Sequence, residues 1–371
     1  MSKLEELIQQ YCPDGVEYHL IGDIAQVGTG SSNGNEAEED GEYPFFVRSQ
    51  TVKRKNDYEY DEEAIIIPGE GGIGDIFHYI KGKYALHQRV YRIHFTNTAI
   101  NVKFAFYYMK SAFKQFIMMK AVSATVTSIR KPMIEGFSIP VPPLPVQEEI
   151  VRILDTFTEL QAELQAELQK RLQQYNYYRD NLLTNFTADK QVKEYPLGEI
   201  CEIGTGSHNT QDGLNEGAYP FYTRGIDVLR LNSYDYDETA IITAGDGAGV
   251  GKVFHFVNGK YALHQRAYRI VPNESLVLAR YIYYYIETEF YSYIMKSSVS
   301  SSVTSIRKPM LLGFPVMLPS LAEQQRIVDI LDRFDSLTND LTSGLPAEIE
   351  KRKQQYEYYR DKLLTFKRKE A

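Results

Sequence analysis

Apolar positions along this 371-residue chain change period in a fixed order, and that order occurs twice. From about Ile24 they come in short runs bounded by glycine and asparagine: YPFF, EAIIIPG, DIFHYI and KYALHQRVYRI. Such runs predict short strands joined by tight turns. NVKFAFYYMKSAFKQFIMMKA at 101–121 then predicts a helix, matched by LARYIYYYIETEFYSYIMK at 278–296. A longer helix follows each proline-rich stop, VPPLPVQEEI at 141–150 and LPSLAEQQRI at 318–327. Proline followed by Glu or Gln in the first turn suits a helix start. In the first long helix Ile150, Phe157, Leu160, Leu164, Leu168, Tyr175, Tyr178 and Leu182 form one apolar stripe. Its second copy carries SGLP at 343–346, where Gly344 and Pro346 should interrupt the helix before IEKRKQQYEYYRDKLL resumes. The two long helices are expected to bury their stripes against each other.

The repetition extends to identical words. VTSIRKPM stands at 126–133 and 303–310, KYALHQR at 83–89 and 260–266, GTGS at 28–31 and 204–207, YPF at 43–45 and 219–221. Their offsets are 177, 177, 176 and 176, so one inserted residue near the glycine clusters at 69–74 and 245–251 aligns them. A whole domain is duplicated. RILD at 152–155 and DILD at 329–332 keep the offset of 177, whereas QQYNYYRDNLLT at 173–184 and QQYEYYRDKLLT at 354–365 are 181 apart. The second spacer is therefore longer by four residues, about 6 Å of helix.

Composition, with 43% hydrophobic and 24% charged residues, is that of a folded globular chain of two ordinary domains. No stretch approaches the roughly 20 apolar residues of a membrane span, and MSKLEELIQQ has no apolar signal core, so a cytoplasmic protein without membrane partners is expected. Cys12 and Cys201 are too few and too far apart for a disulfide framework or a cysteine-based zinc site. The net charge of −8 counts against nucleic acid, but its distribution softens the objection. Residues 24–143 hold 14 Lys and Arg against 13 Asp and Glu, and residues 200–319 hold 10 against 11. The acidic surplus lies chiefly in the helical segments, and composition alone gives no positive argument for DNA.

Chemical motifs fail on inspection. GEGGIG at 69–74 has dinucleotide-binding spacing, but the following DIFHYIKGKYALHQR is too β-branched and glycine-broken to be the required helix. The second copy, GDGAGVGK, puts Val250 in place of the third glycine. As a phosphate loop GVGKV also fails, because Asp246 replaces the first glycine and Val253 the Ser or Thr that would hold magnesium. Glycine turns between strands are the better reading. The histidines at 19, 78, 87, 94, 208, 255 and 264 show no metal-ligand spacing. No paired carboxylates or nucleophile–base set is visible, so neither catalysis, cofactor nor metal is expected.

YCPDGVEY at 11–18, PPLPVQEEIVRILD, QQYNYYRDNLLT and GLPAEIE at 344–350, set among two globular halves and two long helices, resemble the specificity subunit of type I restriction-modification enzymes. The resemblance covers essentially the whole chain. It implies an α+β fold: two duplicated mixed target-recognition domains separated by two antiparallel coiled-coil-like helices, with pseudo-two-fold symmetry. The corresponding boundaries are an N-terminal segment 1–22, a first recognition domain 23–145, a central helix 146–190, a second recognition domain 191–320 and a C-terminal helix 321–371. The resemblance further implies double-stranded DNA, two methyltransferase subunits and restriction subunits as partners, with the chemistry in those other chains. A scaffold that grips proteins and only dimerises through its helices is the competing reading.

Base edges and phosphates are met by Arg, Lys, Asn, Gln, Ser and Thr on loops or strand ends. Three such places recur. The loop after YPFF carries Arg48, Gln50, Lys53, Arg54 and Lys55, with Thr223, Arg224 and Arg230 as its counterpart. His87, Gln88 and Arg89 match His264, Gln265 and Arg266. Around VTSIRKPM stand Ser123, Thr125, Thr127, Arg130 and Lys131, and in the second copy Ser300, Ser301, Thr304, Arg307 and Lys308. The divergent loops are expected to carry specificity and the identical cations to hold phosphates. Solvated turns, strand-interior hydrogen bonds and end caps are the bland alternatives for each group.

Overall fold

The computed structural model describes residues 2–120, 128–186, 192–296, 305–340 and 342–369. Two compact units divide the chain: Met1–Leu164 with Ile349–Ala371, and Gln165–Glu348. Each unit thus takes one sheet domain and part of each spacer.

The first unit opens with helix α1 (Lys3–Tyr11), strand β1 (Tyr18–Leu20) and the short helix α2 (Ile21–Ile24). Strands β2 (Ala25–Thr29), β3 (Tyr43–Phe46), β4 (Lys53–Lys55), β5 (Tyr60–Pro68), β6 (His78–Leu86) and β7 (Val90–Phe95) follow. They form a sheet in the order β2-β7-β5-β6-β3-β4, in which only β3 and β6 run parallel among the described residues. Helix α3 (Val102–Lys120), helix α4 (Lys131–Glu135) and strand β8 (Ser138–Pro140) complete the domain, β8 pairing with β1. Alternation explains the continuous apolar run of β5. Ile65 and Ile67 join the cluster beneath α3, while Ala64 and Ile66 join a second cluster with Phe46, Tyr84, Leu86 and Val90.

Helix α5 (Leu144–Thr184) is continuous for 41 residues and carries the chain into the second unit. There β9 (Lys193–Pro196), α6 (Leu197–Ile200), β10 (Cys201–Thr205), β11 (Tyr219–Tyr222), β12 (Leu229–Leu231), β13 (Tyr236–Ala244), β14 (Phe254–Leu263) and β15 (Ala267–Pro272) repeat the pattern. The sheet order β10-β15-β13-β14-β11-β12 matches the first, strand for strand. Helix α7 (Ala279–Lys296), helix α8 (Lys308–Leu312) and strand β16 (Pro315–Leu318) close the domain. The GTGS repeat has a steric cause: a Cβ on Gly30 or Gly206 would lie 1.8 Å from the carbonyl oxygen of Leu86 or Leu263.

The return spacer is broken as its glycine and proline predict, into α9 (Leu321–Asn339) and α10 (Leu345–Leu363). Asp340 accepts hydrogen bonds from the Thr342 amide at 2.7 Å and the Thr342 hydroxyl at 2.6 Å, and from both donors of Ser343, which fixes the turn. The expected burial of the stripe needs correction. Ile150 and Tyr175 are buried, but Phe157, Leu160, Leu164, Leu168 and Leu182 are only half-buried, and Tyr178 is exposed. Aromatic stacking still marks the stripe, Phe157 on Tyr359 at 5.7 Å in the first unit and Tyr178 on Phe334 at 5.5 Å in the second. A single helix opposite α5 leaves much of its circumference to water, and deep burial comes only where a sheet domain covers the helix end.

One buried polar pin ties each spacer to its sheet domain. The Gln147 Nε2 donates to the carbonyls of Ala99 (2.7 Å) and Pro142 (2.6 Å), and its Oε1 accepts from the Asn101 amide at 2.8 Å. Gln324 repeats this with Leu276, Pro319 and the Leu278 amide. Gln147→Leu keeps the bulk and orphans three backbone groups, so it should cost about 2 kcal/mol. Calorimetry should show an unfolding transition lowered by several degrees; an unchanged midpoint would remove Gln147 from the stability of this joint.

Candidate nucleic-acid interface

One arginine from each of the three predicted groups stands at one end of each sheet, where β5 or β13 runs out: Arg48, Arg89 and Arg130, then Arg224, Arg266 and Arg307. SIRKPM, the described part of the repeated word, is anchored there: the Ile129 amide donates to the Gly69 carbonyl at 2.7 Å, and the Ile306 amide to the Gly245 carbonyl at 2.9 Å. Ile129 and Ile306 are buried, so Arg130 and Arg307 are turned outward. Pro132 and Pro309, which could be taken for helix breakers, instead occupy the first turns of α4 and α8, where the missing amide costs nothing.

At this end a carboxylate holds two arginines from separate loops. Glu70 Oε2 accepts from Arg89 at 2.9 Å and from Arg48 at 3.2 Å. Asp246 accepts from Arg224 at 2.7 Å on Oδ1 and from Arg266 at 3.0 Å on Oδ2. The Arg89 guanidinium, with Arg48 beside it, holds the Glu70 carboxyl below the usual carboxylate range, and Arg224 and Arg266 do the same to Asp246. Burial, with the neighbouring arginine charges, pushes the His87 and His264 imidazoles below their ordinary value, so they are uncharged at neutral pH. Each accepts on Nδ1 from the backbone amide two residues on, that of Arg89 or Arg266, at 2.9 Å, which fixes the turn that carries those arginines. The Gln88 amide group donates to Asn33 Oδ1 at 2.6 Å, and Gln265 pairs likewise with Asn209.

Two clefts open beside the arginines of each unit. In the first unit one of about 260 Å³ is lined by Glu70, Gln88, Arg89, Ser128 and Arg130, and one of about 410 Å³ by Arg48, Ser49, Lys53, Glu70 and His87. The second unit has counterparts of about 250 Å³ beside Asp246, Gln265, Arg266 and Arg307, and about 500 Å³ beside Asn209, Arg224, His264 and Arg266. Arg130 and Arg307 have no hydrogen-bond or ion-pair partner among the described residues, and Lys308 is exposed beside Arg307. Gln50 is exposed on the loop beyond β3, and Lys131 pairs with Glu135 at 3.5 Å.

Several expected residues are placed otherwise. Lys55 is turned inward, its ammonium held by Glu36 (2.8 Å), Ser32 (2.9 Å) and Asp57 (3.1 Å). Thr223 is buried, as is Val47 at the equivalent position. Arg54 spends its guanidinium on the Gly41 and Glu42 carbonyls, and Arg230 on those of Gly217 and Ala218, so both brace a turn. Ser123, Thr125, Thr127, Ser300, Ser301 and Thr304 lie outside the described residues. Glu70 and Asp246 were the residues missed: both sit in glycine clusters that draw attention to their glycines. The available signal is an acid kept at an offset of 176 between two glycines kept with it, Gly69 with Gly245 and Gly71 with Gly247. Among the described residues no group of His, Cys, Asp and Glu has the arrangement of a metal site, and no helix is long and apolar enough to cross a membrane.

The family model of the type I restriction modification DNA specificity domain matches twice, at residues 13–174 and 189–351. The chain belongs to the type I restriction-modification specificity family. Among the relatives of this specificity chain is the EcoR124I/EcoR124II specificity subunit of Escherichia coli, 36% identical over 251 residues. That match covers 62% of this chain and 61% of the relative, less than two-thirds of its length. A putative type I restriction enzyme specificity subunit of Haemophilus influenzae is 30% identical over 354 residues, 88% of this chain and 89% of the relative. The crystal structure of a type I S subunit from M. genitalium shares the fold at a TM-score of 0.63, covering 94% of this chain and 95% of that one with 17% identity. The α+β architecture of two duplicated sheet domains separated by long helices is thus that of the family.

Proposed function

We propose that this chain is the non-catalytic DNA-recognition subunit of a cytoplasmic type I restriction-modification complex. Each sheet domain reads one half of a bipartite duplex sequence, α5 with α9 and α10 sets the gap between halves, and the helices dock two methyltransferase subunits. Restriction subunits join that assembly. The observation that carries this reading is the recurrence, in both domains, of arginines lining clefts at one strand-end surface: Arg48, Arg89 and Arg130, then Arg224, Arg266 and Arg307. Two similar readers on one chain suit a duplex whose strands are related by local two-fold symmetry. Near-neutral recognition domains are adequate if the partner chains supply much of the phosphate clamp.

Long-read methylome sequencing of cells with and without this gene, beside its methyltransferase gene, tests the proposal. A bipartite modified motif should vanish with the gene. Unchanged methylation, together with no sequence-specific duplex binding in the presence of the methyltransferase, would favour the protein-gripping scaffold instead.

A further inference from the structure

A surface that meets DNA gains nothing in raw attraction from a carboxylate between two arginines. The Arg48–Glu70–Arg89 set presents a net charge of +1 where the arginines alone would present +2, and each neutralised phosphate contributes about 0.9 to the salt slope of binding. Yet the arrangement occurs twice. Glutamate in one copy and aspartate in the other differ by a methylene, so what is kept is a negative charge at one place. The Glu70 side chain is 39% exposed and that of Asp246 24%, and among the described residues their hydrogen-bond donors are the guanidiniums alone.

We propose that Glu70 and Asp246 are discrimination residues, each making its arginine pair a poor phosphate clamp and a good reader of a guanine edge. The inference rests on the DNA-reading function above. A phosphate entering the fork meets the carboxylate charge at short range. A guanine edge offers the O6 and N7 acceptors without a net charge, so it forgoes that repulsion. Each arginine gives one Nη1 to the acid and keeps its other donors for the ligand. Because both guanidiniums are already tethered, less side-chain freedom is lost when a base is bound. The acid thus builds a penalty against the wrong ligand into the same atoms that welcome the right one.

The test uses the full chain with its methyltransferase partner and two labelled duplexes, the cognate site and the same duplex with one half-site scrambled, titrated over a range of NaCl concentrations. Glu70→Gln should tighten binding to the scrambled duplex, steepen its salt slope by about 0.9, and lower the cognate-to-scrambled ratio about tenfold, the scale of one lost base discrimination. Glu70→Asp should keep the ratio near that of the unsubstituted protein, since it keeps the charge. Asp246→Asn should repeat the effect when the cognate duplex is compared with one whose other half-site is scrambled, and leave the first ratio unchanged. Equal weakening for both duplexes with an unchanged slope would make the acid a mere brace and overturn the proposal. An unsubstituted complex that binds both duplexes alike overturns the DNA-reading function itself, and this inference with it.

Discussion

Insertion of one Leu-Gln-Ala-Glu unit into the tandem at 160–167 of α5 will widen the gap between the two half-sites by one or two base pairs and leave the bases of each half unchanged. Four residues add about 6 Å of rise and about 40° of rotation to a helix, against about 3.4 Å per base pair. The insertion is structurally mild. The leucines recur every four residues there, so the apolar spacing is preserved, and no residue from Asp155 to Gln174 is buried. The return spacer already holds four more residues between its DILD and QQY words than α5 does between RILD and QQY, with a Gly–Pro break to absorb a change of length. Methylome sequencing of a strain carrying the insertion reads both quantities at once. Altered half-site bases with an unchanged gap would end the idea of α5 as a spacer.

How much of this was legible in the sequence depends on the range of the interaction that decides each feature. The strands were legible because a run such as EAIIIPG serves two buried faces by local alternation. The break at Gly344 and Pro346 was legible because backbone chemistry there is local. The depth of the leucine stripe was not, since it depends on how many elements surround α5, and periodicity shows only which side is apolar. Pro132 sits where an identical local signal has two outcomes: it stops one helix or opens the next, and the α4 contacts decide. For the candidate site, Arg130 faces outward because its neighbour Ile129 fills the core, an apolar–polar alternation written in adjacent residues. The inward turn of Lys55 did not, because its partners Glu36 and Ser32 come from a loop some twenty residues away. Glu70 is illegible for the same reason: its partners Arg48 and Arg89 are each about twenty residues distant, in opposite directions along the chain.

Substituting both Arg130 and Arg307 with alanine will weaken binding to duplex DNA about a hundredfold, and nearly equally for cognate and scrambled sequences. These arginines differ from Arg48, Arg89, Arg224 and Arg266 in having no hydrogen-bond or ion-pair partner among the described residues. Nothing tethers the guanidinium to one geometry, so a base edge would have to fix it at full entropic cost, whereas a phosphate accepts it from many directions. A charge-assisted hydrogen bond is worth about 1.5–3 kcal/mol, so each substitution should cost about tenfold or more. The two residues belong to different compact units, and their effects should add. The slope of log affinity against log salt should become shallower by about 0.9 for each arginine removed. Buried Ile129 and Ile306 hold the local backbone whatever the neighbouring side chain is, so the melting temperature should not move. Loss confined to one base preference, with the salt slope intact, would instead make Arg130 and Arg307 base readers and leave the phosphate contacts to other residues.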